Sequence, residues 1–195
     1  MIAFRYTKTD GAEYLSHLDL MRHIDRTMRR AGIKTAFTEG FSPHPKIYMN
    51  NPLGLGIRSV AEYCSVESAF DGDFKTLFNA HSPRGIKCLG FIVTEENPNY
   101  AYTIESCTYT VEGLDFDARD LLDRDELVIT DKRGRTADIR RRIYGLEHED
   151  GKLRFTLGCG QNNLRPDLFC EIIESMYGGK AENLLKIAAH GKFTF

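Results

Sequence analysis

The stretch SHLDLMRHIDRTMRRAG, residues 16–32, decides how the first half of this chain folds. Ser16 is a typical helix N-cap, and Asp19 three residues later gives an acidic variant of the capping box. Gly32 is well placed to end the helix. Between these ends apolar residues recur at spacings of three and four, which predicts one buried face formed by Leu18, Met21, Ile24, Met28 and Ala31.

The other side of this predicted helix is strongly basic. We expect its arginines to lie along one solvent-facing stripe, because the apolar residues occupy the opposite side. A stripe of this kind favours contact with phosphate groups. The candidate substrate-binding residues on the helix are therefore Arg22, Arg26, Arg29 and Arg30.

A loop with two prolines follows the helix and has the sequence GFSPHPK at residues 40–46. Each proline restricts its own backbone, and Pro45 also pushes His44 towards extended conformations. This rigid support makes His44 a candidate catalytic residue. Phe41 is a candidate for stacking on a base, and Lys46 is a candidate for contact with phosphate. The alternative is a turn that only positions the next strand.

Three residues outside this loop are also candidates. His17 stands in the first turn of the predicted helix, where the helix dipole disfavours imidazolium and keeps a neutral ring available for acid–base catalysis. A histidine that only orients the helix is the alternative for His17. Arg58 follows a glycine-containing bend and is a candidate for phosphate contact. Arg165 lies at a predicted helix start, where backbone N–H groups can receive an anion.

Charge is segregated along the chain, although the net charge is only −2 at pH 7. Residues 1–60 carry nine Lys/Arg and five Asp/Glu, and residues 132–165 carry nine and four. Residues 95–131 carry two and eleven. The two basic segments favour an electropositive surface for a phosphate-bearing partner. Neutralisation of both segments by the acidic one is the alternative.

Composition excludes several classes of protein. A hydrophobic content of 42% is enough for real cores, and no run of 18 apolar residues or signal-peptide pattern is present. We therefore expect a cytoplasmic protein without a membrane span. The five cysteines are scattered, which predicts buried, reduced thiols rather than a disulfide framework or a metal site. We expect no metal and no cofactor.

The order of the predicted elements indicates an α+β protein with two ferredoxin-like domains in tandem. The first domain spans residues 1–95 in the order β-α-β-β-α-β, and residues 95–104 form a linker. The second domain spans 105–195. It is predicted to contain a basic turn at 132–135, a strand at 139–148 and a helix at 166–176. Alternation along that strand would place Arg140 and Arg142 on one face and Arg141 on the other.

Four groups of residues together carry a family resemblance. They are YLSHLDLM at 14–21; GFSPHPK at 40–46; PLGLG at 52–56 with Ser59 and Glu62-Tyr63; and DIR at 138–140 with LRPD at 164–167. On these motifs the chain resembles the radical SAM-linked protein family over nearly its whole length. Domains of that family occur beside radical SAM enzymes or fused to them, and they have no assigned activity.

The resemblance implies that the chain is the partner of a radical SAM enzyme and not the enzyme itself. The chain lacks the three-cysteine motif that holds the iron–sulfur cluster of such enzymes. Genes next to the family often encode RNA-processing enzymes, which implies RNA as the substrate. The layout is also similar, more weakly, to RNA-handling proteins built from paired ferredoxin-like domains, such as CRISPR RNA endoribonucleases and some pseudouridine synthases.

Two functions follow, and the sequence leaves open whether the chain is an enzyme. The first is an accessory protein that binds an anionic substrate, RNA in particular, and works with a radical SAM enzyme. The alternative is a metal-independent ribonuclease-like or other RNA-processing enzyme. In that case His17 or His44 would be the general acid or base, and Lys46 or Arg29 would stabilise the developing charge.

Overall fold

The computed structural model describes residues 1–130, 134–193 and 195, and it divides into two compact units. Unit 1 comprises Met1–Ile104 with Gly191–Phe195, and unit 2 comprises Glu105–His190. Both units combine strands with helices, which confirms the α+β class. Within the described residues no helix has the length and apolar character that a membrane span requires.

Unit 1 consists of a sheet and the helices that connect its strands. The sheet has the order β4-β1-β3-β2, and each neighbouring pair is antiparallel. α1 lies between β1 and β2 in the chain, and α2 lies between β3 and β4. The elements are β1 (Ile2–Lys8), α1 (His17–Arg30), β2 (Ile47–Met49), β3 (Arg58–Val66), α2 (Phe74–His81), β4 (Cys88–Val93) and the short helix α3 (Tyr100–Thr103).

The core of unit 1 lies on one face of its sheet. Alternate residues of β1 are buried there, and Phe4 packs against the rings of Phe74 and Phe78 from α2 with centroids 5.0 and 5.2 Å away. α1 adds Ile24 and Met28 to the same cluster. Full burial of an apolar side chain of this size contributes about 1.5–3 kcal/mol. This face therefore fixes how α1 is rotated on the sheet.

The ends of α1 are those predicted from the sequence. The Ser16 hydroxyl accepts a hydrogen bond from the Asp19 backbone N–H at 3.1 Å and donates one to the Asp19 carboxylate at 2.7 Å. At the other end Gly32 has φ +69°, a conformation that glycine adopts without strain. Both end signals are confirmed.

The predicted apolar face of α1 was wrong at one position. Leu18 is 62% exposed, and Leu20 is buried instead. At 3.6 residues per turn, Leu18 lies about 120° around the helix from Ile24, whereas Leu20 lies about 40° away and His17 about 20° away. In the first turn of α1, His17 and not Leu18 therefore lies on the core side of the helix.

Unit 2 contains four strands in the order β10-β5-β9-β8, and a separate two-stranded ribbon of β6 and β7. The predicted helix at 166–176 is confirmed as α5, which begins with Pro166. The elements are β5 (Ile104–Glu112), α4 (Ala118–Leu122), β6 (Val128–Thr130), β7 (Thr136–Asp138), β8 (Ile143–Glu149), β9 (Lys152–Gly158), α5 (Pro166–Tyr177) and β10 (Glu182–Gly191).

The predicted strand at 139–148 begins later than expected. Arg140–Arg142 form a single 3₁₀ turn, and the strand starts only at Ile143. Asp138 causes this turn, because its carboxylate accepts hydrogen bonds from the backbone N–H groups of Leu127 and Arg140, both at 2.9 Å. The predicted alternation of the three arginines is therefore wrong. Lys132 and Arg133 of the predicted basic turn lie outside the described residues.

Candidate functional site

The exposed side of α1 carries the predicted arginines, but they differ in their contacts. Arg22 forms an ion pair with Asp19, and Arg29 forms one with Asp25, each at 3.0 Å. Arg26 is exposed and has no ion-pair partner within residues 1–130, 134–193 and 195. Arg22 and Arg26 are neighbours on the helix surface because they are four residues apart.

Arg30 has a structural role that the sequence did not indicate. Its guanidinium donates two hydrogen bonds to the His81 carbonyl at 2.8 and 3.1 Å, and a third to the Thr27 hydroxyl at 3.1 Å. His81 is the last residue of α2. Arg30 therefore joins the end of α1 to the end of α2, and its N–H groups are engaged there.

The loop after α1 is a narrow hairpin that presents its tip to solvent. Its arms are joined by the Thr38 N–H and the His44 carbonyl at 2.8 Å, by the His44 N–H and the Thr38 hydroxyl at 2.9 Å, and by the Lys46 N–H and the Ala36 carbonyl at 2.8 Å. Phe41 at the tip is fully exposed. Gly40 beside it has φ +117°. We call residues 36–46 the Phe41 hairpin.

An aromatic contact joins the Phe41 hairpin to α1. The guanidinium carbon of Arg29 lies 5.8 Å from the centroid of the Phe37 ring. Phe37 also forms an isolated β-bridge with Pro45 on the other arm. Because Arg29 belongs to the last turn of α1, the base of the hairpin is held at that end of the helix. The basic side of α1 and the exposed Phe41 therefore belong to one connected surface.

His44 and Lys46 differ in how far they remain available on this surface. The His44 side chain is exposed, and the contacts that hold it are those of its backbone. Lys46 forms an ion pair with Glu67 at 3.0 Å, and this hydrogen-bonded partner raises the pKa of Lys46 above its usual value. Lys46 therefore offers a charge that is already matched by an acid.

A second feature of unit 1 is a buried polar cluster where β1 and β3 meet the start of α1. Glu62 is 3% exposed and Lys8 is 2% exposed. The Glu62 carboxylate accepts hydrogen bonds from the Ser59 hydroxyl at 2.8 Å and the Asn50 amide at 3.1 Å. Lys8 pairs with Ser59 in the register of β1 and β3. We call these four residues, Lys8, Asn50, Ser59 and Glu62, together with the half-buried His17 that Glu62 and Lys8 influence electrostatically, the Glu62 cluster.

Burial and charge in the Glu62 cluster shift the ionisation of its basic members. Burial lowers the pKa of His17 below its usual value; the Glu62 carboxylate opposes this shift and Lys8 adds to it. Burial also lowers the pKa of Lys8, and the carboxylates of Glu62 and Glu13 oppose that shift. His17 is therefore held as a neutral imidazole at neutral pH, the form that accepts a proton. Burial is the main cause of the lowered pKa of His17, whereas the prediction rested on the helix dipole.

An unsatisfied hydroxyl adjoins this cluster. Tyr6 is opposite Glu62 in the register of β1 and β3, and its side chain is completely buried. Among the described residues its hydroxyl has no hydrogen-bond partner. Burial, followed by the charge of Glu62, raises the pKa of Tyr6 well above its usual value. The core of unit 1 thus ends in ionisable and polar groups that an apolar core would not need.

The remaining predicted site residues do not form one group. His17 begins α1, and His44 lies in the hairpin held at the other end of this helix, which is about 21 Å long. Arg58 is half-buried in β3 of unit 1. Arg165 lies in unit 2, directly before α5, where it forms an ion pair with Asp167.

Four members of the Glu62 cluster were not among the predicted site residues: Lys8, Asn50, Ser59 and Glu62. One signal for them was present. Glu62 interrupts the otherwise apolar or uncharged run VAEYCSV at 60–66, which β3 buries almost throughout. A carboxylate within a buried strand needs hydrogen-bond donors or cations beside it. The identity of those neighbours depends on strand pairing between distant residues, which the sequence did not specify.

Comparison with known proteins gives one family and a similarity of fold. A family profile described as "Uncharacterized protein conserved in bacteria (DUF2344)" matches residues 2–166. No curated protein matches the chain. A solved structure described as "Crystal Structure of a Cbf5-Nop10-Gar1 Complex" contains a chain with a TM-score of 0.51 and 10% sequence identity. The match covers 96% of this chain and 48% of the other, so the chain spans about half the length of that relative.

Proposed function

The chain belongs to the uncharacterized bacterial family DUF2344, and we propose that it is a binding module that holds RNA for a partner radical SAM enzyme. The observation that carries this proposal is the exposed surface of unit 1. It combines exposed positive charge at Arg26 with a fully exposed ring at Phe41, and the contact between Arg29 and Phe37 connects the two.

This combination suits a single-stranded nucleic acid better than a folded protein. A positively charged helix surface attracts the phosphate backbone, and exposed aromatic rings stack on unpaired bases. Phe41 lies at the tip of a hairpin whose arms are joined by two hydrogen bonds between Thr38 and His44. A hairpin backbone held in this way loses little conformational freedom when a base stacks on the Phe41 ring.

The fold proposal is that each unit is a ferredoxin-like domain. In unit 1 the strand order β4-β1-β3-β2, with α1 and α2 as the connections, is the arrangement expected for βαββαβ. In unit 2 the order β10-β5-β9-β8 repeats it, with α5 between β9 and β10. α4 and the β6–β7 ribbon occupy the place of the first helix. We propose domain limits of 1–95 and 105–195.

The partner proposal rests on the sequence resemblance to radical SAM-linked proteins. Two of its motifs, residues 14–21 and 52–62, contribute His17, Ser59 and Glu62 to the Glu62 cluster. The test is co-purification of the tagged chain from its native cells. A radical SAM enzyme should be recovered in stoichiometric amount, with the iron–sulfur absorbance in that partner. Iron–sulfur absorbance in the purified chain alone would contradict the proposal.

A second candidate function is RNA processing by the chain itself, and the Glu62 cluster favours it. A neutral imidazole that is electrostatically coupled to a buried carboxylate and a buried amine can take part in moving a proton. RNA that is cleaved or altered without a partner, in the presence of a metal chelator, would support this function if the activity is lost in His17→Ala. Recovery of unaltered RNA after incubation with the native chain would exclude this second function. The binding module would then remain as the proposal.

The binding proposal is tested with labelled single-stranded RNA and two double variants. We expect Arg22→Glu/Arg26→Glu to lose most of the affinity, because two exposed cations of the proposed surface become anions. Lys75→Glu/Arg84→Glu is the matched control, since both residues are exposed in unit 1, neither belongs to α1, and the net charge changes equally. Equal losses in the two variants would contradict a specific surface.

A further inference from the structure

A groove of about 450 Å³ lies in unit 1 where α1 ends and the Phe41 hairpin begins. A second groove of about 430 Å³ adjoins it along Lys34 and Thr35. The first is lined by Asp25, Arg29, Gly32, Ile33, Lys34, Thr35 and Phe37.

One wall of the first groove is flat and carries charge. The Arg29 guanidinium lies over the Phe37 ring, and Asp25 holds that guanidinium by an ion pair at 3.0 Å. Planar guanidinium and phenyl groups are the surfaces on which unpaired bases stack. Because Asp25 fixes Arg29 and the bridge to Pro45 fixes Phe37, this wall is formed before any ligand arrives.

The groove also contains a polar group without a partner. The Thr35 hydroxyl is buried, and no other described residue forms a hydrogen bond with it. An unsatisfied buried hydroxyl is destabilising by roughly 1–3 kcal/mol. Thr35 lines both grooves, and binding through this group requires a rotation about its χ1 bond that brings the hydroxyl to the ligand side. A ligand that offers a donor or an acceptor would satisfy this group.

Cations lie at the edges of this site. Lys34 is exposed and lines both grooves, so it can contact a phosphate on either side of a bound ring. Arg26 precedes Arg29 by three residues and therefore points from the same side of α1. A strand that follows the exposed arginines of α1 would reach the groove at the last turn of the helix.

We propose that this groove binds one unpaired nucleobase of the RNA strand held on α1, with the base against the Arg29–Phe37 wall and an edge on the Thr35 hydroxyl. The inference rests on the proposed function and adds to it a base-specific component. Phosphate contacts alone would need neither the flat wall nor the buried hydroxyl. The occupant is therefore a strand with bases, not a polyanion in general.

The test compares two labelled strands that have the same phosphates, a short single-stranded RNA and its abasic counterpart. We expect the native chain to prefer the strand with bases by about tenfold or more, since stacking on an aromatic ring is worth about 1–3 kcal/mol per base. Thr35→Val and Phe37→Ala should each reduce this preference, and Thr35→Val should leave the affinity for the abasic strand unchanged.

Controls separate the groove from general effects. Tyr102→Ala removes another exposed aromatic ring of unit 1 and should keep the preference. Thr35→Val should leave the protein as stable as the native chain or more stable, because it removes an unsatisfied hydroxyl. Equal affinity of the native chain for the two strands, or a preference that survives both groove variants, would overturn the inference. Failure of the native chain to bind either strand would instead overturn the proposed function.

Discussion

The guanidinium carbon of Arg29 lies 5.8 Å from the centroid of the Phe37 ring, and this contact joins α1 to the Phe41 hairpin. Arg29 also forms an ion pair with Asp25 on its own helix. Phe37 in turn is bridged to Pro45 across the hairpin. Through these contacts the basic side of α1, the flat wall of the groove and the exposed ring at Phe41 form one surface.

Arg30→Ala is expected to destabilise unit 1, although Arg30 is exposed. The substitution removes the hydrogen bonds that join α1 to the His81 carbonyl at the end of α2. We expect a loss of about 1 kcal/mol in the free energy of unfolding, measured by urea denaturation. Arg26 lies on the same helix and, within the part of the chain that the structure describes, forms no hydrogen bond to α2, so Arg26→Ala should change the free energy of unfolding by no more than about 0.5 kcal/mol. Equal stability of the two variants would show that the hydrogen bonds from Arg30 to α2 contribute nothing to the free energy of unfolding.

His17 should make the stability of the chain depend on pH below neutrality. Its pKa in the folded protein lies below the usual value of 6.5, so the unfolded chain binds more protons as the pH falls through that value. Stability present above about pH 6.5 is therefore lost on acidification. We expect His17→Gln to lose less free energy of unfolding than the native chain between pH 7 and pH 5. The control is His44→Gln, whose imidazole is exposed. If the free energy of unfolding of His17→Gln falls with pH as steeply as that of the native chain, His17 is not held neutral by burial.

Removal of the Glu62 charge should change the titration of His17. Glu62 raises the pKa of His17 against the effect of burial, so Glu62→Gln should lower the His17 midpoint further. The His17 ring protons followed by NMR across a pH series give this midpoint. Glu67→Gln removes a carboxylate that pairs with Lys46 and should leave the midpoint in place. An unchanged or higher midpoint in Glu62→Gln would mean that the Glu62 cluster is not electrostatically coupled.

Features set by neighbouring residues were predictable from the sequence, and features set by distant pairs were not. Ser16 and Gly32 gave both ends of α1 because helix caps act over three or four residues. Arg30 donates to the His81 carbonyl, 51 residues away, so no pattern in the sequence near Arg30 predicted this hydrogen bond. The 3₁₀ turn at Arg140–Arg142 depends on Asp138, which also holds Leu127 eleven residues before it.

The candidate site follows the same rule. The arginines of α1, Phe41 and His44 could be named because helix periodicity and prolines place them on the surface. The Glu62 cluster required the pairing of β1 with β3, which brings Tyr6 opposite Glu62. The prediction of buried cysteines is confirmed for Cys64, Cys88, Cys107 and Cys170, whereas Cys159 is only half-buried. The approach of Cys159 to Cys107 could not be foreseen across 52 residues.

Cys107 and Cys159 are expected to form a disulfide under oxidation, because their sulfur atoms lie 3.3 Å apart. Hydrogen peroxide would take up the two electrons: two thiols and one peroxide give one disulfide and two water molecules. Free thiols should fall from five to three, and peptide mapping should identify the pair. Cys159→Ser should keep its four thiols, whereas Cys170→Ser should fall from four to two. Retention of all five thiols in the native chain would contradict the prediction.

The central claim is that exposed arginines of α1 bind the phosphate backbone of RNA, and the salt dependence of binding tests it most directly. The logarithm of the binding constant should fall linearly with the logarithm of salt concentration, with a slope of about −0.7 for each phosphate contact on a single strand. Arg22→Ala/Arg26→Ala should make this slope less steep by about 1.4. If the double variant has the same slope as the native chain, or if binding by the native chain does not change with salt, the account is contradicted.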